Sequence, residues 1–238
     1  MSVFAHLVER LAELLQPLFH ASAAAAAIVL FTMLVRLLVH PLSRAAARGQ
    51  KAKAALQPQI AELRRKHAKD PQKMQKAIME LHAEEKVSPL SGCLPSLLQA
   101  PAFFLLYHLF SSTSIGGEAN GLLGHQLLAA PLGDRWADAL AAGGPLGGAG
   151  LVYLVLFALV AVVAAVNFRR TRRTMAENAP LPAAASGEQV PGLGAVTKVM
   201  PFMSFFTLVT VAVVPLAAAL YVVTSTAWSA VERAALYR

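Results

Sequence analysis

The chain has 238 residues, of which 56% are hydrophobic and only 14% are charged, and its net charge is +8. A soluble domain of this length would carry about a quarter charged residues, so the composition argues against a soluble globular protein. The basic residues flank long apolar runs instead of sharing one soluble surface, which indicates a polytopic membrane protein rather than a nucleic-acid-binding one.

Residues 1–19 predict an amphipathic helix on the extracytoplasmic side of the membrane. Apolar side chains recur at helical spacing along one face, and polar side chains occupy the other. A helix with this much polar surface is typical of the membrane interface and not of a span. The apolar face is formed by Phe4, Leu7, Val8, Leu11, Leu14, Leu15 and Leu18.

The first predicted span, residues 21–42, contains one charged residue, Arg36. A charge at the centre of a spanning helix costs about 2.5–3.5 kcal/mol, so it is expected to face the protein interior or a wet cavity. Thr32, Arg36, His40 and Ser43 recur at helical spacing and share one stripe. No acidic residue lies within any predicted span. We therefore expect a hydrated cation open to the cytoplasm; the alternative is that Arg36 snorkels to the inner headgroups.

Residues 44–88 predict a cytoplasmic helical hairpin that holds eleven Lys and Arg against five Asp and Glu. The break is expected at Asp70-Pro71, because Asp caps a helix and Pro fits its first turn. The excess of positive charge fits a topology signal and also a docking site for anionic lipid, ribosomal RNA or an acidic partner. The second helix is expected to bury Met74, Ile78, Leu81 and Met79.

The second span is predicted at residues 93–111, where Pro95 and Pro101 predict kinks on either side of Gln99. An extracytoplasmic loop, 112–149, follows it, and Trp136 is expected to anchor a short surface helix there.

The third span is predicted at 150–168 and is followed by a basic cytoplasmic loop, 169–195, expected to be flexible. Two further spans, 196–214 and 216–231, are divided at Pro215. Their polar residues include Ser204, Thr207, Thr210, Thr224, Ser225, Thr226 and Ser229.

Residues 20–238 thus form a predicted five-span core whose orientation follows from the positive charges. Lys and Arg number eleven in 44–88 and five in 169–198, against one in 112–149. Because cytoplasmic loops carry the excess of Lys and Arg, the N-terminus is expected outside and the C-terminus in the cytoplasm.

The sequence offers little for covalent chemistry. The seven histidines are scattered, no catalytic or nucleotide-binding signature is present, and the single cysteine, Cys93, excludes an internal disulfide and a cysteine-based zinc site. With no carboxylate in the predicted spans, hydrolysis and proton-coupled transport lack their usual residues. We expect neither enzymatic activity nor a cofactor or metal.

Several motifs carry a family resemblance, which covers the chain from Arg36 to Trp228. The run from Lys69 to Lys76 followed by Met79-Glu-Leu resembles the cytoplasmic insert of the YidC-type membrane protein insertases. So do the stretch Pro89-x-x-Gly-Cys-Leu-Pro-x-x-x-Gln-x-Pro-x-Phe103, the closing Met200-Pro-Phe, and Leu220-Tyr with Thr224-Ser. The chain departs from the usual family residues at His82, Ser88, Val222 and Thr226.

The resemblance implies an all-α polytopic membrane protein whose five helices enclose a hydrophilic groove open to the cytoplasm and to lipid. It implies a membrane insertase and chaperone of the bacterial cell membrane, with nascent membrane proteins as substrates. A Sec translocon, a ribosome or a targeting factor is an expected partner through hairpin 44–88. The expected groove residues are Arg36 as the substrate-facing charge, with Thr32, Gln99, Thr207 and Ser225.

Two other functions remain open at this point. A small anion channel or transporter would use Arg36 as a solute site, although the outer half of the first span is alanine and aliphatic and the hairpin would have no role. A passive assembly scaffold would use the polar residues only to join helices.

Overall fold

The computed structural model describes residues 2–87, 94–115, 117–177 and 199–236, and the side chains of residues 2, 94–102, 118, 176–177 and 200 fall outside that description. In the described part the chain is mostly helical. Two of its helical stretches, Val3–Ala55 and Gly148–Met175, are long and apolar enough to cross a membrane, and Pro201–Val213 is a shorter apolar helix. These features fit an all-α membrane protein.

The chain begins with helix α1, Ser2–Phe19, which a 3-10 turn at His20–Ser22 joins to helix α2, Ala23–Ala55. α1 packs along α2. Only part of the apolar face predicted for α1 is buried by this packing. Val8 is buried against the protein, whereas Leu14 and Leu18 are exposed. Part of the apolar face of α1 therefore remains available for lipid.

Helix α2 is longer than the predicted span 21–42, because it continues through Pro41 to Ala55. The extension is rich in Ala, Lys and Arg, which are strong helix formers. The first twelve residues assigned by sequence to the hairpin, 44–55, therefore belong to the same helix as Arg36.

The hairpin proper consists of α3, Gln57–Lys66, and α4, Pro71–Glu84, which pack against each other. The predicted break is confirmed, since the Asp70 carboxylate accepts from the Lys73 backbone N–H at 3.0 Å and caps α4. The prediction for Met79 is wrong, because its side chain is 61% exposed. Among the described elements α4 packs mainly on α3, and Met79 lies about 100° round the helix from the half-buried Ile78.

Helix α5, Leu94–Ser111, leads into the loop 112–149, which contains two short strand pairs that its sequence pattern does not predict. Strands β1, Ser114–Ile115, and β2, Glu118–Ala119, form one antiparallel pair. After a 3-10 turn at Gly121–Gly124, strands β3, Gln126–Leu127, and β4, Ala130–Pro131, form a second pair.

A short helix at Trp136 is confirmed as α6, Trp136–Gly143. The Trp136 ring packs against Tyr153 and Phe157, with centroids 5.7 and 5.2 Å away. The side chain therefore joins α6 to the following helix, where the sequence predicts an anchor at the membrane surface.

Helix α7, Gly148–Glu177, extends past the predicted end of the third span at 168 and includes the basic residues 169–173. Most of the predicted flexible loop, 178–195, lies outside the described residues. A 3-10 helix at Met200–Phe205 leads into α8, Phe206–Val213, and α9 covers Leu216–Leu236. The predicted break at Pro215 is confirmed.

The contact between α2 and α9 forms an extensive part of the core. Small residues of the two helices are buried together, among them Ala24, Ala27, Ala217 and Ala218. Small side chains allow two helices to approach closely, as is common in membrane proteins. Large apolar side chains cover the outer faces of the long helices, which suits contact with lipid; they include Leu37, Leu38, Val155, Leu159 and Val162.

Candidate functional site

The Arg36 side chain extends from α2 toward α9 and is half-buried between them. Its Nε donates to the Ser225 hydroxyl at 3.0 Å, and Nη2 donates to the same oxygen. Ser225 is only 3% exposed. The structure thus brings together two of the predicted groove residues, which are 189 positions apart in sequence.

Tyr221 forms the wall behind this contact. It lies one helical turn before Ser225 on α9, is buried, and interacts with the Ser225 side chain. Its ring contacts Phe103 and Phe110 of α5 at centroid distances of 5.8 and 6.0 Å. Helices α2, α9 and α5 therefore meet at the Arg36 contact.

The charge of Arg36 is not cancelled by a close carboxylate within the described residues, where it forms no ion pair within 4.0 Å. The partner that fixes its position, Ser225, is neutral. A guanidinium carries five N–H donors, and the two bonds to Ser225 leave others free for water or for an incoming group. The site therefore favours water and anionic groups over lipid.

The other predicted groove residues are placed differently. Thr32 is fully buried, one turn before Arg36, and its hydroxyl donates to the Ile28 carbonyl of its own helix at 2.7 Å. Thr207 is half-buried on α8. Gln99 belongs to α5, but its side chain falls outside the described part, as do residues 88–93 with the Gly92-Cys93 motif.

The end of the site nearer the hairpin contains an acid–base pair. His40 Nδ1 lies 2.5 Å from Glu232 Oε1, and the Glu232 side chain is only 10% exposed. Because α2 and α9 run parallel, this contact lies one layer beyond the Arg36–Ser225 contact.

The end of α9 is also held by α7. The Arg170 guanidinium donates to the backbone carbonyls of Ala230 and Arg233 at 3.4 and 3.0 Å. The last four carbonyls of a helix, Arg233 among them, lack partners within the helix, and a basic side chain satisfies them.

The opposite end of α9 is covered by the loop between α5 and α7. The backbone N–H groups of Leu216 and Ala217 donate to the carbonyls of Asp134 and Leu132 at 2.8 and 2.9 Å. The Tyr153 hydroxyl donates to the same Asp134 carbonyl at 2.6 Å. With Leu132 fully buried, the loop closes over the outer end of the bundle.

Sequence reasoning missed Glu232, Arg170 and the role of Tyr221. The first two lie just beyond the predicted spans, so a search for partners within the spans passes over them. A usable signal was present, because His40 follows Arg36 by four residues and Glu232 follows Ser225 by seven. On two parallel helices, these spacings place both pairs on one seam.

In the part of the chain that the structure describes, no group of three or more His, Cys, Asp or Glu is arranged to hold a metal. The arrangement around Arg36 combines a cation, a hydroxyl and an aromatic wall. It can bind and release a polar group without making or breaking a covalent bond.

Comparison with known proteins gives a consistent result. The family model described as "60Kd inner membrane protein" matches residues 15–238. A membrane protein insertase YidC from Clostridium perfringens is 41% identical over 110 residues, which cover 46% of this chain and 43% of that protein. The YidC of Magnetococcus marinus is 47% identical over 81 residues, or 34% of this chain and 15% of that protein.

The YidC of Chlorobium limicola is 38% identical over 104 residues, which cover 44% of this chain and 18% of that protein. In each of these three comparisons the chain spans less than half the length of the relative.

Proposed function

Since the chain belongs to the 60Kd inner membrane protein family, the family of the YidC-type insertases, we propose that it inserts other membrane proteins into the bilayer and assists their folding. Its substrates are nascent membrane proteins, and its place of action is the bacterial cell membrane.

The observation that carries the proposal is the half-buried Arg36, which is held by a neutral hydroxyl inside a membrane-spanning helix. An arginine with only a structural role would gain most from a buried carboxylate, because an unpaired charge in a dry interior is prohibitive. An arginine that must accept successive substrates gains from a weak and exchangeable partner.

The proposed mechanism is a transfer of polar residues through a hydrophilic groove formed by the five helices and open to the cytoplasm. A short polar segment of the substrate enters the groove, where water and the Arg36 charge lower the cost of taking it out of solution. The apolar segment then moves into lipid along the outer faces of the helices. The distance that polar residues cross through hydrocarbon is shortened, so no nucleotide or cofactor is required.

We assign the polarity of the groove to Arg36 and Ser225, with Thr32, Thr207 and Gln99 as further contributors. The contact between Arg36 and Ser225 supports the first pair. For Thr32, whose hydroxyl is bonded to the Ile28 carbonyl, the contribution is a polarised helix backbone and not a free hydroxyl.

We propose that the hairpin receives the substrate or its carrier on the cytoplasmic side. The N-terminus and α1 then lie outside, and the C-terminus lies in the cytoplasm. The positive surface of residues 44–88 suits a Sec translocon, a ribosome or a targeting factor with an acidic or phosphate-bearing face.

The test is insertion of a small substrate with a short acidic N-terminal tail into proteoliposomes. Three preparations are compared: the purified protein, its Arg36→Ala variant and empty vesicles. We expect protease-protected substrate well above the empty-vesicle level for the protein. For Arg36→Ala we expect a loss that is larger for the acidic tail than for the same tail with Asp replaced by Asn.

Insertion no better than into lipid alone would overturn the proposal, and anion flux through the same vesicles would then test a channel. An equal loss for both tails, at equal protein level, would contradict the role given to the Arg36 charge.

A further inference from the structure

A largely buried carboxylate lies at the cytoplasmic end of the Arg36 site, and the mechanism above does not use it. The Glu232 side chain is 10% exposed, and its Oε1 is 2.5 Å from His40 Nδ1. An ionised carboxylate only accepts hydrogen bonds, so His40 Nδ1 is the donor.

Glu232 lies near Arg36 without bonding to it. Its hydrogen bond is to His40, one turn beyond Arg36 on α2, and it lies two turns beyond Ser225, the partner of Arg36, on α9. The described parts of α2, α5 and α8 contain no acidic residue. In α7 and α9 the acids are Glu177, at the end of α7, and Glu232.

We infer that Glu232 is a specificity-determining residue, a built-in counter-ion that limits how strongly the Arg36 site attracts acidic segments of a substrate. The inference rests on the proposed function. His40 holds the carboxylate one layer away from Arg36. The positive potential at the guanidinium is therefore only partly reduced, and it still attracts an incoming Asp or Glu. An acidic segment that reaches Arg36 must compete with the field of Glu232, whereas a neutral segment need not.

The two partners of the pair have opposite expected effects. Removing the Glu232 charge increases the positive potential at Arg36 and favours acidic segments. Removing the His40 donor frees the carboxylate to turn toward Arg36, which lowers that potential. If the contact served only to join α2 and α9, both changes would lower insertion in the same way and would not have opposite effects on acidic segments.

The experiment measures insertion of two substrates that differ only in tail charge, Asp against Asn, in proteoliposomes. The variants are Glu232→Gln, His40→Phe and the double variant. Glu13→Gln is the control, because it removes one negative charge from an exposed side chain on α1, far from the site. For Glu232→Gln we expect the ratio of acidic to neutral insertion to rise two- to fivefold, the range for a partly screened charge pair.

For His40→Phe the ratio falls, and in the double variant it returns to the Glu232→Gln level, because no carboxylate remains to be released. The Glu13→Gln control leaves it unchanged.

A second measurement does not depend on insertion. Trp228 lies between Ser225 and Glu232 on α9, and its indole nitrogen is buried. In a Trp136→Phe background, Trp228 fluorescence reports the binding of a synthetic acidic tail peptide to the protein in nanodiscs. We expect tighter peptide binding with Glu232→Gln, weaker binding with His40→Phe, and no change with the Asn peptide.

If the protein fails to insert substrate but these binding shifts appear, the proposed function fails and the counter-ion role stands. An unchanged ratio with unchanged peptide affinity overturns the role of Glu232. A ratio of acidic to neutral insertion that falls in both His40→Phe and Glu232→Gln also overturns it.

Discussion

A guanidinium is tolerated at residue 36 because the neighbouring side chains fix its orientation without neutralising its charge. Ser225 takes two of its hydrogen bonds, and Tyr221 closes the apolar side. The remaining donors need water, which reaches them only because the side chain is half-buried and not sealed. The cost of the charge is therefore lowered at the same place where a substrate would meet it.

Two residues of the outer seal are expected to contribute unequally to stability. In Tyr153→Phe the Asp134 carbonyl keeps its bond from the Leu216 N–H, so no buried acceptor is left unsatisfied and the cost is about 1 kcal/mol or less. In Leu132→Ala a fully buried side chain is removed and a cavity remains, at a cost of about 2–5 kcal/mol.

Thermal unfolding in detergent, followed by circular dichroism, ranks the two variants. Leu128→Ala provides the matched control, because Leu128 lies in the same loop but is exposed and should change little. A Tyr153→Phe variant less stable than Leu132→Ala would show that the hydroxyl, and not the apolar packing, holds the loop.

At the scale of elements, the hairpin is attached to the bundle mainly through α2. α3 packs on α4 and follows the end of α2. The buried side chains of the bundle come from α1, α2, α5, α7, α8, α9 and the outer loop.

Replacing residues 56–86 by a short Gly/Ser linker should therefore leave a folded, membrane-embedded protein that no longer inserts substrate. Size-exclusion chromatography and protease resistance report the fold, and the proteoliposome assay reports insertion. A full-length variant that keeps the hairpin but reverses two of its charges, Arg64→Glu with Lys66→Glu, separates loss of charge from loss of the hairpin. Undiminished insertion by the deletion variant would remove the docking role.

The elements that the sequence predicts well are those with a local cause. Apolar runs, the Asp70 cap and Pro215 each act within one turn of the chain, and the structure has the corresponding helices and breaks. The ends of α2 and α7 were placed too early, because a hydropathy boundary marks the edge of lipid and not the end of a helix.

The small strands of the outer loop and the Glu232 contact depend on distant partners. The loop strands are two residues each, too short for a period of two to show in sequence. His40 and Glu232 are 192 residues apart, and only the packing of α2 on α9 brings them together. Of the predicted groove residues, the stripe on α2 was accessible from spacing, whereas the identity of its partners on α9 was not.

At the scale of the whole molecule the two ends of the bundle differ. The outer end of α9 is covered by backbone hydrogen bonds and buried leucines of the loop, and the inner end is lined by Arg36, His40, Glu232 and Arg170. This asymmetry supports the proposal that polar groups reach the Arg36 site from one side only.

The orientation can be measured with single cysteines in a Cys93→Ser background. A cysteine in place of Gln126, exposed in the outer loop, should react with a membrane-impermeant maleimide in intact cells. A cysteine in place of Gln75, exposed on α4, should react only after lysis. The reverse pattern would contradict the orientation that we derive from the positive charges.

Helix α2 has a mechanical consequence, because Arg36 and the attachment point of the hairpin belong to one continuous rod. Pro41 has no backbone N–H, so one stabilising hydrogen bond of the helix is missing there. From Pro41 to Ala55 the helix measures about 21 Å. A tilt of about 10° at that pivot displaces the far end by about 4 Å. A partner that binds the hairpin and moves it would therefore bend α2 at Pro41, about one turn from Arg36.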